Sequence, residues 1–537
     1  IMFQKNIINR VKPLSKVKFI NTTKTFNPLT ITNICKMSTK IKADSVTVTT
    51  PNGHTYQQPT GLFINNEFWK ASNPDKKLKV EDPSTGKHVL DIESCTAEDV
   101  KYAIDVAHDT FHKQGDKWAE LDPRDRSEFL YKIGDYIEKN LDLLASIECM
   151  DNGKAYNLAK GDVAVAAKYF KSANQYNMDG RFIETGDGYV NYTVKEPLGV
   201  VGAIIPWNFP FLIMTWKLVP TLFAGNTIIV KPASSTCLTA LMFGKICQEV
   251  GIPAGVVSVI PGPGSVVGDI LADSMKLDKI SFTGSTGIGK AVATKATQSN
   301  LKHVTMELGG KSGHILFGDA DLKKAIPNIV NGIFKNAGQI CSSGSRLYVQ
   351  SSVYDQFLKE FKEYIETQIK IGSPFDPENY QGSIQNKTQY QTVLDYIKLG
   401  KEEGATVLTG GEAIGDGSNG YYIKPTVFID TKEDMKIVKE EIFGPVLTVG
   451  KFDTVEEAIK LVNDSEFGLG AGIETTNLAT ALHVAKKIKS GMVWVNEYND
   501  FDVSVPFGGY KQSGYGKEMG TEALAGYVNT KAVRIKL

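Results

Sequence analysis

From about residue 61 onward the chain switches between two hydrophobic periods, and each switch marks a change of element. Apolar residues three to four apart predict helices over 97–114, 123–140 and 141–152, each with one face to bury. A strand-like arm at 62–69 precedes them, and residues 181–196 alternate about Gly186-Asp187-Gly188, an Asp-Gly turn that predicts a hairpin. Short apolar runs follow at 200–205, 227–230, 256–259, 279–282 and 303–307, with helix-length stretches between them. Strand and helix in alternation predict an α/β fold whose parallel sheet is covered on both faces. A second α/β stretch runs from 320 to about 505 with helices at 353–370, 385–403 and 456–462, and 532–537 alternates as an edge strand does. No repeat of solenoid length is present.

The longest uncharged run, 197–216, has the length of a membrane span. Pro206, Asn208 and Pro210 interrupt it, so it reads as a strand, a turn and a helix. At 537 residues the chain exceeds what one core supports, and two or more domains are expected. Lys plus Arg equals Asp plus Glu at 60 each, which gives no electrostatic case for nucleic acid. Six cysteines without a C-x-x-C pair fit neither a disulfide frame nor a zinc site, and no metal is expected. Residues 1–43 carry nine Lys or Arg and no acid before Asp44, the composition of a mitochondrial presequence. The expected location is the matrix, or the cytoplasm if synthesis begins at Met37.

Four segments carry candidate chemistry. Thr283-Gly284-Ser285-Thr286-Gly287-Ile288-Gly289 ends a predicted strand and opens a helix, where small residues let backbone N–H groups approach a phosphate or nicotinamide. One such turn is weak evidence, but a second, Pro261-Gly262-Pro263-Gly264, comes shortly before it. Cys341 lies in Asn336-Ala337-Gly338-Gln339-Ile340-Cys341-Ser342-Ser343-Gly344; a thiolate there can attack a carbonyl, although an isolated cysteine is usually just a buried hydrophobe. Glu307 closes an apolar strand, where burial raises a carboxylate toward the range of a general base, or where it simply pairs with Lys311. Asn208, between Pro206 and Pro210, can donate to an oxyanion, a preorganised contact worth about 3 kcal/mol, or can merely end a strand.

Taken in order over residues 60–537, the segments PWNFP, FTGST, MELGGKS, GQICSSGSR, EEIFGP and PFGGYKQSG strongly resemble the aldehyde dehydrogenase superfamily, and most closely its fungal acetaldehyde-oxidising, NADP-accepting group. The resemblance implies that Cys341 is the nucleophile, Glu307 the base for the deacylating water, and Asn208 with the Cys341 N–H the oxyanion hole. It implies a cofactor, NADP or NAD, held by Lys231 and Ser234 at the adenosine ribose, by Gly284 and Ser285 at the nicotinamide half, and by Glu441 and Phe443 at the nicotinamide ribose. Trp207, Gly264, Thr286 and Gly289 complete the cofactor contacts, and Trp216, Tyr498, Phe501 and Phe507 wall a pocket for a small apolar aldehyde. It further implies a cofactor domain over 60–180 and 197–307, a catalytic domain over 308–514, and oligomerisation elements at 181–196 and 515–537 that join dimers or tetramers.

One departure bears on the cofactor. NAD-specific members carry a glutamate where this chain has Ser234, so strict NAD specificity is not expected. Three rival readings stand beside the dehydrogenase. A cysteine hydrolase would need a histidine base near Cys341, a CoA-acylating enzyme would not need Glu307, and a catalytically idle homologue would not need Cys341, Glu307 and Asn208 together.

Overall fold

In the computed structural model, which describes residues 41–113 and 118–537, all five apolar runs after the hairpin become adjacent parallel strands. The segment expected to be a presequence lies outside the described residues as far as residue 40. Val200–Ile204 is flanked by Thr227–Lys231 on one side and Lys279–Thr283 on the other, with Val257–Val259 and His303–Glu307 beyond them. The three inner strands are buried along their whole length, as expected where helices cover both faces. Succession along the chain runs outward one way for three strands and then returns to the other side of Val200–Ile204. Such a reversal leaves a crevice outside the carboxyl ends of the strands. Leu62–Ile64 and Glu67–Trp69 extend one edge of this sheet and Gly514–Tyr515 the other, giving eight strands.

A second sheet of seven strands contains Gly313–Leu316, Arg346–Gln350, Val446–Phe452, Gly470–Glu474 and Met492–Val495 among its members. The loop between Gly313–Leu316 and Arg346–Gln350 carries Cys341, so one sheet presents Glu307 and the other presents the cysteine.

Most predicted helices form where their apolar period and caps place them. Ala97–His112 opens on a capping box between Thr96 and Asp99, and Pro123–Lys139 on Asp122 with proline in its first turn. The uncharged run resolves into Val200–Ile204 and the fully buried helix Pro210–Ala224. Among the described residues no helix is long and apolar enough to cross a membrane.

Ordered structure begins before residue 61, since Ser45–Thr49 pairs with Thr55–Pro59, and Lys77–Asp82 pairs with Lys87–Glu93 where no strand was expected; three further differences have a local cause. Helix Tyr156–Lys171 was not predicted: its buried face mixes Ala159, Val163, Ala166 and Ala167 with a charged Asp162, reaches large apolar residues only at Tyr169 and Phe170, and carries Gly161 on its exposed side. The arm at 62–69 is two short strands turning at Asn65 and Asn66, which take φ of 54° and 62°. The predicted hairpin is a minor pairing: Ile183 N–H donates to Asn191 O and Thr193 N–H to Arg181 O, both at 2.9 Å. Strand Tyr189–Pro197 pairs instead along its whole length with the C-terminal strand Val528–Lys536, the longer ladder.

The C-terminal segment is tied to the core by a buried ion pair between Lys217, on helix Pro210–Ala224, and Glu518, with side chains 0% and 5% exposed. Removing one member of such a pair strands the other charge in a dry interior. Lys217→Met should therefore lower the stability of the chain by about 3–5 kcal/mol in denaturant unfolding. The double variant Lys217→Met/Glu518→Leu should recover most of the loss; an unaltered midpoint in the single variant would mean that the pair does not hold the segment.

Candidate active site

All five parallel strands end at one cavity of about 980 Å³. Its lining takes Pro206, Trp207 and Asn208 after the first strand, Lys231, Ser234 and Ser235 after the second, and Gly264 and Ser265 after the third. The fourth contributes Thr283, Gly284 and Ser285, and the fifth Glu307, Leu308 and Gly309. Facing them are Cys341, Glu441, Ile442 and Phe443 from the second sheet's side, together with Asn386, Gln389, Thr392 and Tyr396 at the start of helix Lys387–Glu402.

Cys341 also borders a second, smaller cavity of about 50 Å³, walled mainly by Phe209, Leu212, Ile213, Trp216, Ile340, Phe501 and Phe507, with Asp162, Lys335 and Asn499 completing it. The half-buried thiol is thus reached from a large, partly polar chamber and from a small, mostly apolar one.

The backbone that places Cys341 is strained. Helix Leu322–Phe334 ends and Asn336 and Ala337 turn left-handed, at φ 51° and 53°, conformations that β-carbons resist. Gly338 continues at φ 72°, and a β-carbon there would come within 2.1 Å of the Gly444 carbonyl oxygen. Side chains hold the loop in this shape. Asn336 Nδ2 donates to Asn208 O at 3.1 Å, Asn208 Nδ2 donates to Gln339 O at 3.0 Å, and Gln339 Nε2 donates to Asn336 O at 3.0 Å. Asn152 Nδ2 donates to Trp207 O at 2.6 Å from the opposite side.

Charges in the chamber are set by burial. Glu307 is 3% exposed, and burial pushes its carboxyl well above the usual carboxylate range; Glu518 adds to the rise, while Lys217 and Lys517 oppose it. Its Oε1 has no hydrogen-bond partner among the described residues. Glu441 accepts from Gly310 N–H at 3.1 Å, and burial carries it to about 7. Gly309 lets that carboxylate approach, since a β-carbon there would lie 2.0 Å from Glu441 Oε2. Burial, with Glu307 and Glu441 nearby, raises the Cys341 thiol well above its usual value and so favours its protonated form.

The pattern that defines the aldehyde dehydrogenase family matches residues 69–533. The chain belongs to the aldehyde dehydrogenase family. An aldehyde dehydrogenase of Davidiella tassiana is 46% identical over 495 residues, covering 92% of this chain and 98% of that protein. Retinal dehydrogenase 2 of Gallus gallus is 41% identical, covering 89% and 92%. An NAD+ complex of an aldehyde dehydrogenase from Bacillus cereus superposes with a TM-score of 0.86 at 40% identity, covering 89% of this chain and 97% of that one. This chain is accordingly an NAD(P)-dependent aldehyde dehydrogenase with an α/β fold.

The chamber fits the dinucleotide that an aldehyde dehydrogenase uses. Thr283 Oγ1 and Glu307 Oε1 are buried polar atoms without partners in its wall, and Ser285 begins the helix Thr286–Asn300 without a side-chain cap bond, leaving that helix's N–H groups for a phosphate. Trp207 and Phe443 meet edge to face in the wall at 5.2 Å.

Most residues singled out in the sequence reach the two cavities, and three do not. Thr286 and Gly289 lie outside the chamber wall; Gly289 instead gives room to Leu308, 2.4 Å from where its β-carbon would be. Tyr498 does not wall the aldehyde pocket. It stands behind the nucleophile, its hydroxyl donating to Ser342 O at 2.8 Å and its ring packed on His314 and Trp494. Sequence reading also missed Asn152, Asn336 and Gln389. Gln389 donates to Ile442 O at 2.9 Å and Phe443 O at 3.0 Å, holding Phe443 at φ 57°. The only hint of this helix's role was its N-cap, Asn386, whose side chain accepts from Gln389 N–H.

Proposed function

We propose that this enzyme oxidises short aliphatic aldehydes, acetaldehyde among them, to carboxylates through a thioester on Cys341, and that it accepts NADP. The observation that carries the reading is that Cys341 is shared by a dinucleotide-sized chamber and a pocket of about 50 Å³. An aldehyde entering from the apolar side meets the thiol where the nicotinamide side can reach the same carbon. That volume suits a small substrate, unlike the long apolar aldehyde for which the Gallus gallus relative is named.

In the proposed sequence the Cys341 thiol gives its proton to water in the chamber, Sγ attacks the carbonyl carbon, the C=O π bond opens, and the carbonyl oxygen takes the negative charge. Asn208 is 3% exposed and pinned through Gln339, so its Nδ2 is a preorganised donor for that oxyanion. When bound, the cofactor supplies a hydride acceptor, which leaves a thioester on Cys341. Glu307 then removes a proton from water, the hydroxide attacks the thioester carbon, the C–S bond breaks, and the carboxylate departs.

Glu307→Gln should stall at the thioester. Rapid mixing should then give no more than about one equivalent of reduced cofactor per active site, and Cys341→Ala should give none. Because Glu307 acts in its deprotonated form and burial raises its pKa, the parental rate should fall as pH drops through a limb above the usual carboxylate range. Sustained turnover by Glu307→Gln would remove its assigned role.

The cofactor reading rests on the end of the second strand, where Lys231, Ser234 and Ser235 line the chamber. Ser234 Oγ donates to Gly262 O at 3.0 Å and Lys231 Nζ to Pro232 O at 2.9 Å, so both polar groups are held at the wall. A cation and hydroxyls accommodate a 2′-phosphate where a carboxylate would repel it. Asp269 also lines the chamber, with its charge matched by Lys295 3.1 Å away. Ser234→Glu should shift the NADP-to-NAD ratio of kcat/KM toward NAD by about tenfold, or about 1.4 kcal/mol. A parental enzyme confined to NAD would overturn the assignment.

The assembly reading rests on the ladder of Tyr189–Pro197 with Val528–Lys536. It leaves Phe182, Ile535 and Leu537 exposed at 81%, 44% and 81%, an apolar edge that a second copy would cover. Light scattering should report two or four chains per particle; a monomer would count against it.

A further inference from the structure

Behind Cys341 the second sheet holds a hydrogen-bonded set of side chains that lines neither cavity. His314 lies on strand Gly313–Leu316, and Glu474 ends the neighbouring parallel strand Gly470–Glu474. His314 Nε2 donates to Glu474 Oε1 at 3.1 Å, and Asn328 Nδ2, from helix Leu322–Phe334, donates to Glu474 Oε2 at 3.3 Å. Both His314 and Glu474 are buried, and a carboxylate kept from water is costly unless its oxygens are bonded, as both are here. Two apolar residues of similar volume would fill such a space at no loss of stability, so the set calls for another purpose. It supports a ring. Tyr498 lies against His314 with ring centroids 4.8 Å apart, and Trp494 flanks it at the same distance.

Glycines make the slot for that ring: a β-carbon at Gly472 would come within 2.6 Å of it, and one at Gly332 or Gly344 within 3.2 Å or 3.3 Å. The Tyr498 hydroxyl donates to Ser342 O at 2.8 Å, and burial pushes the phenol above its usual range, which favours the protonated donor. Ser342 is held a second time. Its Oγ donates to Asn499 Oδ1 at 2.9 Å, while Asn499 Nδ2 donates to Asn331 O at 3.2 Å and Gly332 O at 3.3 Å, on the helix that Glu474 reaches through Asn328. The peptide directly after Cys341 is thereby clamped from behind. We propose that Tyr498 is a positioning residue for the nucleophile: its hydroxyl, kept in place by His314 and Glu474, fixes the Ser342 peptide and with it the direction in which Cys341 Sγ meets the aldehyde. A misplacement of about 1 Å at reacting atoms costs up to about a hundredfold in rate. The proposal rests on reading Cys341 as the nucleophile.

The test is a single turnover with the full-length enzyme in excess over acetaldehyde. The rate of cofactor reduction then reports thiol attack and hydride transfer, whatever the pace of thioester hydrolysis. Tyr498→Phe keeps the ring and removes the hydroxyl; it should slow that rate about tenfold, with the Kd of NAD and of NADP, read from tryptophan fluorescence, unchanged. Glu474→Gln should slow the parental enzyme about threefold and the Tyr498→Phe variant not at all, because the pair acts through the hydroxyl that is already gone. A merely structural role would slow both backgrounds alike. The positioning role is overturned by an unchanged rate in Tyr498→Phe, by a Kd that rises in step with the loss of rate, or by equal slowing of both backgrounds by Glu474→Gln. Reduced cofactor formed at the parental rate by Cys341→Ala overturns the nucleophile reading itself, whatever the other variants do.

Discussion

The geometry of this active site depends on one close backbone contact. Gly338 packs against the Gly444 carbonyl with no room for a side chain, directly after the left-handed turn at Asn336 and Ala337 that precedes Cys341. Because Gly444 follows Glu441, Ile442 and Phe443, the same contact joins the segment carrying the nucleophile to the segment lining the nicotinamide side of the chamber. The strain is opposed by a ring of carboxamides. Asn208, Asn336 and Gln339 bond to one another's backbone, so Asn208, at the end of the first sheet's strand, also holds the loop that carries the thiol. Each conformational cost at such a site is of order 1–3 kcal/mol and persists only when its surroundings fix it.

Burial sets the electrostatics of the resting enzyme. The Cys341 thiol and the carboxyls of Glu307 and Glu441 are all pushed up, and Lys311, buried beside Gly310, is pushed down to about 7. Every one of these shifts favours the neutral form. Burial therefore suppresses charge at the thiol and carboxyl groups around the chamber. Reactivity then depends on what enters: a substrate carbonyl to accept the sulfur, and a water to meet Glu307. A permanently ionised thiol in the same place would be exposed to oxidation and stray electrophiles.

How much of this was legible in the sequence follows from the range over which each signal acts. The parallel strands could be read because their apolar runs are local, and four of the five were bounded to within one residue at each end, with His303–Glu307 matching in full. Cys341, Glu307 and Asn208, which the structure brings to one chamber, could be singled out because glycines and prolines are dense around them. The carboxamide ring was not found, since Asn208, Asn336 and Gln339 acquire a common purpose only when two sheets meet. Tyr498 was misplaced for a related reason. An aromatic near Phe501 and Phe507 reads as pocket lining, but Gly332, Gly344 and Gly472 leave a slot behind the nucleophile that its ring fills instead. Strand Tyr189–Pro197 chose a partner more than 300 residues away, and turn chemistry at Gly186-Asp187-Gly188 carries no information about that ladder.

The division of labour between the sheets explains why catalytic and specificity residues separate so cleanly. The carboxyl ends of the first sheet's strands bring Asn208, Lys231 and Glu307 to the wall of the large chamber. The small pocket is built from helix faces and a loop, Phe209, Leu212, Ile213, Trp216, Phe501 and Phe507, none of which contributes a strand to either sheet. Substitutions there change the space offered to the aldehyde tail without moving the strand ends that position Glu307 and Asn208. Substrate range can therefore drift at fixed chemistry, provided that the bonds of Asn208 to Gln339 and of Asn336 to Asn208, which join the first sheet's strand ends to the cysteine loop, are kept.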